Sequence, residues 1–220
     1  VALAGSGAPA IPLAQTSPPC PTGAWCVGDV FVAVGSGKYE VFDKDGGLKE
    51  TITSPNNPKK EFAGCWFDSQ FNLFAADFNN TKVVKYNLTH PHSALQVLNT
   101  EAQADDGHSS SIVMAVNGDI YVGHAGNANG TGSHNILKYL SDGTFKGTAF
   151  IPGSTDIENR GTDWMDLSAD QRTMYYTSRG RKIFHVNLDD TTDKGSVTIR
   201  YSNSVPQTTG TAFAFRLLPP

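Results

Sequence analysis

Short runs in which β-branched and aromatic residues alternate with polar ones recur along this chain, each bounded by Gly, Asp, Asn or Ser. The runs come in pairs. GDVFVAV at 28–34 is followed by YEVFD at 39–43, and NLFAAD at 72–77 by KVVKYNL at 82–88. GDIYVG at 118–123 is followed by NILKYL at 135–140, and TMYYT at 173–177 by KIFHVNL at 182–188. The pairs start at 28, 72, 118 and 173, so the steps are 44, 46 and 55 residues. Each pair, joined by a polar gap, predicts a β-hairpin. No stretch combines a 3.6-residue period with helix caps, so a helical or βαβ chain is excluded.

The flanks repeat too. Upstream of the last three pairs lie AGCWFD at 63–68, SIVMAV at 111–116 and TDWMDL at 162–167. Downstream of the four pairs come LKETI at 48–52, LQVL at 95–98, TAFI at 148–151 and SVTIRY at 196–201. Four short strands in about 45 residues is the sequence form of a β-propeller blade. The expected fold is therefore all-β: a propeller of four-stranded antiparallel blades at about 28–53, 61–99, 108–152 and 160–201, with a final strand at 210–218. An Ala/Gly/Pro-rich segment, 1–27, precedes it.

The first pair lacks a strand upstream, and GTAFAFRLL at 210–218 reads as an isolated first strand. That count predicts part of a six- or seven-bladed propeller. The alternative is a closed four-bladed ring, in which 210–218 pairs with 28–34 and removes an exposed sheet edge.

The segments GDIYV at 118–122, NLFAAD at 72–77 and ILKYLSDGTF at 136–145 resemble the NHL-like propellers, and more loosely the gluconolactonase/regucalcin and streptogramin-lyase propellers. The resemblance covers roughly 28–217. It implies the fold and little more, because such blades carry enzymes and inert scaffolds alike. The paired Gly-His and Trp-Asp of WD repeats are absent.

Composition narrows the classes. Hydrophobic residues make up 39% and charged residues 17%, which excludes a disordered polar chain. Seventeen basic against 21 acidic residues give a net charge of −4, unlike a nucleic-acid binder's dense basic surface. No apolar run reaches the length of a membrane span. Cys20 and Cys26, with five residues between them, predict a disulfide worth roughly 2 kcal/mol and hence an oxidising, extracellular or periplasmic compartment. Cys65, inside an apolar run, reads as an inert buried thiol.

Chemistry is expected on the propeller face shared by the connections between blades and the turns joining second to third strands. The acids, histidines and arginine placed there make Glu61, Asp77, Asp106, His108, His124, His134, Asp163 and Arg179 the candidates for a binding face. No cofactor is predicted. A carboxylate ring there would favour Ca²⁺ or Mg²⁺. The loop around 43–50 places its glycines wrongly for an EF-hand, and His90-Pro91-His92 reads as an exposed turn, not a metal pair. Trp66 and Trp164 read as inter-blade core. No nucleophile elbow, phosphate loop or dinucleotide fingerprint occurs. The expected function is a secreted or periplasmic scaffold that binds a protein or small molecule. The alternative is a metal-dependent hydrolase or lyase of the gluconolactonase or streptogramin-lyase kind, using acids such as Glu61 and Asp163.

Overall fold

The computed structural model describes residues 21–56, 61–99, 108–126, 135–150, 161–178, 180, 183–188 and 214–217. These form four antiparallel sheets and a single 3-10 turn at Phe78–Asn80. The first sheet has β1 (Val30–Val34), β2 (Lys38–Phe42) and β3 (Leu48–Thr53) in sequential order. The second has β4 (Phe62–Phe67), β5 (Leu73–Asp77), β6 (Lys82–Tyr86) and β7 (Ala94–Asn99). The third has β8 (His108–Met114), β9 (Ile120–Ala125), β10 (Ile136–Tyr139) and β11 (Phe145–Phe150). The fourth has β12 (Trp164–Leu167), β13 (Thr173–Thr177) and β14 (Ile183–Asn187). Every connection within a sheet is a hairpin between neighbours, as the paired runs predict. The strand expected over 196–201 lies outside the described residues.

The sheets pack face to face in chain order, so each is a propeller blade. Strand parity shows how. In β5, Leu73 and Ala75 join Tyr39, Val41 and Ile52 of the first blade in one core cluster. Their alternates Phe74 and Ala76 join Ile112, Ile120 and Val122 of the third blade in another. In β9, Tyr121 turns instead to Met165, Met174 and Tyr176 of the fourth blade. A strand that buries both faces loses its polar alternation, which is why β5 and β9 are buried at every position. Tyrosine hydroxyls cross these seams: Tyr39 donates to the Ala63 carbonyl at 2.6 Å and Tyr86 to that of Thr53 at 3.2 Å. Cys65 is free and lies against the first seam; burial pushes its thiol up, so it stays protonated.

The first blade departs from this rule on its outward face. Val30 is 53% and Leu48 58% exposed, and both are paired with Phe42 across the sheet. No strand lies inside β1 among the described residues. The ring-closing pairing of 210–218 with 28–34 is not made by the described part of that segment. Residues 214–217 belong to no strand and are held at the fourth blade. The Trp164 indole donates to the Phe215 carbonyl at 2.8 Å, and the Leu217 amide donates to Asp166 at 2.7 Å. Arg216 lies 4.5 Å from the Trp66 ring centroid and 3.4 Å from the Asp166 carboxylate. Trp66, half-buried, packs against the inter-blade clusters on both faces of the third blade, as its reading as inter-blade core expects, while Trp164, also half-buried, helps to hold this segment.

Candidate functional site

Among the described residues of the face predicted to carry chemistry, Asp77 is a structural clamp. Asp77 ends β5 fully buried, and its carboxylate accepts from Ser54 Oγ at 2.6 Å, Asn56 Nδ2 at 2.9 Å and Asn80 Nδ2 at 2.7 Å. Ser54 and Asn56 follow β3 of the first blade, so this carboxylate ties two blades together. Its two oxygens already hold three donors. Glu61 points to solvent, and its carbonyl takes the Phe78 amide at 2.9 Å.

His108, half-buried, packs its ring 4.7 Å from that of Phe78. His124 is completely buried near the end of β9, opposite Ser109. Burial, and secondarily the neighbouring His108, drives its imidazole pKa from 6.5 down to about 3. It is a neutral core residue rather than an open ligand. Asp163 is buried just before β12, its amide donating to the Thr177 carbonyl at 2.9 Å. The structure therefore brings His108 and His124 together at one seam and Asp77 to another. Asp106, His134 and Arg179 lie outside the described residues, as does Cys20 of the expected Cys20–Cys26 bridge.

The cleft lies on the opposite face, where first-to-second and third-to-fourth strand turns gather. A cavity of about 960 Å³ is lined by Trp25, Phe31, Phe67, Phe71 and Leu88, with Asp29, Asp43, Lys44 and Lys49 at its edge. Trp25, only 5% exposed, comes from the segment preceding the first blade and forms one wall. Its ring meets Phe31 edge-on at 5.0 Å, and its amide donates to the Leu88 carbonyl at 3.3 Å. A bridge between Ala24 and Thr89 adds to this anchoring. Residues 24 and 25 thus dock on the second blade. An aromatic residue set among Pro, Gly and Cys was the one sequence signal of such an anchor.

Phe71 forms another wall in a costly way. It is 55% exposed and its φ is +60°, in the turn between β4 and β5. Gly118 at φ +87° and Gln171 at φ +63° fill the matching positions of the third and fourth blades. A bulky residue in the left-handed region costs about 1–2 kcal/mol, and such strain gathers at functional sites. Asp68 pins the turn, its carboxylate accepting the amides of Gln70 and Asn72, each at 2.9 Å.

The loop at 43–47 is no cation site: Asp43 Oδ1 takes the amides of Asp45 at 2.9 Å and Gly47 at 2.8 Å, which hold its carboxyl below the usual range. His90-Pro91-His92 departs from expectation. His90 is exposed, but His92 is buried against Trp25, rings parallel within 6° at 4.1 Å.

No protein-family model matches the chain, and no curated protein matches it. Solved structures do. A streptogramin B lyase structure shares 18% identity at a TM-score of 0.56, over 80% of this chain and 52% of that one. A proposed 6-phosphogluconolactonase from Bacteroides uniformis shares 20% at 0.52, over 82% and 54%. The U3-55K structure shares 10% at 0.56, over 78% and 46%. At such identities the likeness shows the fold alone: this chain is a β-propeller protein. It spans about half the length of the structures it matches.

Proposed function

We propose that this chain is part of a larger, secreted or periplasmic, NHL-like propeller that serves as a binding scaffold, and that its ligand or protein partner enters the cleft beside Trp25. The cleft carries the reading. It is lined by aromatic side chains with charged ones beside them, the composition of ligand sites. Phe71 is held exposed over it in a backbone conformation that glycine would occupy at less cost. Support for further blades comes from the apolar outward face of the first blade, at Val30 and Leu48, which a preceding blade would cover. The compartment rests on the Cys20–Cys26 bridge, which thiol labelling before and after reduction tests directly.

The hydrolase or lyase alternative needs carboxylates open to a cation. Among the described residues of the predicted face, Asp77 is taken up by three donors and Asp163 is buried, which leaves Glu61 as the exposed carboxylate there. The scaffold reading is tested with an apolar fluorescent probe, anilinonaphthalene sulfonate. Wild type is expected to bind it with energy transfer from tryptophan. Phe71→Gly should be about 1 kcal/mol more stable, having lost left-handed strain, yet bind the probe more weakly. Equal probe binding by the two proteins would remove Phe71 and the cleft from the proposal.

A further inference from the structure

Glu50, His90 and His92 bring one carboxylate and two imidazoles together, their ligand atoms all within 4.8 Å of one another. Glu50 comes from the middle of β3, while both histidines come from the loop between β6 and β7, so the group spans two blades. We propose that these three side chains form a site for a zinc-class divalent cation, with the fourth coordination position open to water or a ligand.

The hydrogen bonding of His92 carries the argument. Its Nδ1 lies 3.0 Å from the Asn87 carbonyl, which can only accept, so the proton sits on Nδ1. Its Nε2 then faces Glu50 Oε1 at 3.0 Å, with the His92 side chain 4% exposed. Two acceptors at that distance repel unless something positive lies at the contact, either a second proton on the ring or a cation. The arrangement is the one metal-bound histidines show, with the far nitrogen fixed by a backbone carbonyl and the near one presented to the metal. Glu50 is oriented in the same way, because the Trp25 indole N–H donates to Oε1.

His90 completes the set from the solvent side. Its ring stands edge-on to that of His92, centroids 5.6 Å apart. Tetrahedral zinc, with bonds of about 2.0–2.2 Å, needs ligand atoms about 3.4 Å apart. Bringing the third ligand atom to that spacing falls to the exposed His90 side chain, which can rotate without disturbing the core. Two imidazoles and one carboxylate suit zinc far better than Ca²⁺ or Mg²⁺, which want oxygen ligands.

The test is calorimetric titration of the metal-stripped full chain with Zn²⁺, together with the visible spectrum of its Co²⁺ form. Wild type is expected to bind one equivalent and to give the intense absorption of four-coordinate Co²⁺. Glu50→Gln and His90→Ala should each weaken binding by at least the roughly 10–100-fold that loss of an outer partner costs. His90 is exposed, so His90→Ala leaves the fold intact. A melting temperature raised by Zn²⁺ in wild type and unmoved in His90→Ala would show the same site. Absence of stoichiometric Zn²⁺ binding, or equal affinity in wild type and His90→Ala, would overturn the proposal and leave His92 and Glu50 as a simple ion pair.

Discussion

The Trp25 indole lies flat on the His92 imidazole, ring centroids 4.1 Å apart and planes 6° from parallel. Through this stack a residue preceding the first blade is fastened to a loop of the second. Trp25 also meets Phe31 of β1 edge-on and is buried between the two blades. Trp25→Ala should therefore cost about 3–5 kcal/mol, the range for emptying a buried aromatic site. Denaturant unfolding measures it. A loss below about 1 kcal/mol would mean that Trp25 merely rests on the propeller.

Asp77 is a second inter-blade tie, of a polar kind. Asp77→Ala strands the buried Ser54 hydroxyl and frees two amides that water can reach, and should cost about 1–3 kcal/mol. Ser54→Ala removes one donor and leaves the carboxylate two, so its effect should be clearly smaller. Both are read as shifts of the urea midpoint at unchanged slope. Equal and slight effects would show the cluster to be solvated rather than structural.

Close approach of backbones sets a third limit. A Cβ on Gly64 of β4 would lie 3.0 Å from both the Ser110 carbonyl oxygen and the Ser111 Cα on β8. Those atoms are main chain and cannot swing aside, so Gly64→Ala must push the second and third blades apart, at about 1–3 kcal/mol. Thermal unfolding would show it. A variant as stable as wild type would mean the seam opens at no cost.

The architecture was open to reading because each blade is a local unit. Pairs of runs such as NLFAAD and KVVKYNL need only a turn between them, and hydrophobic alternation plus turn residues specify the hairpin. The site was far less legible. Acids and histidines were assigned to a face by their position in loops, but sequence does not say which are spent on structure. Asp77 carries the same letter whether it holds a cation or three donors, and His124 the same letter whether it is open or wholly buried. The His92 contact with Glu50 joins residues more than forty positions apart on different blades, which no local pattern reveals. Trp25 was visible only as an aromatic residue out of place.

The last consequence concerns acid. Burial, reinforced by His108, holds the His124 pKa near 3 in the folded chain, against 6.5 for the free side chain. Between those values the unfolded chain binds a proton at this residue and the folded chain does not, so stability falls as pH falls. The contribution is fully present above about pH 6.5, and is lost at up to about 1.4 kcal/mol per pH unit as the solution is acidified towards pH 3. Urea unfolding at a series of pH values between 7 and 4 measures the slope. His124→Leu, which fills the same apolar site without a titrating ring, should flatten it over that window. Parallel slopes in wild type and variant would assign the acid sensitivity to other groups and show that His124 takes up its proton without unfolding.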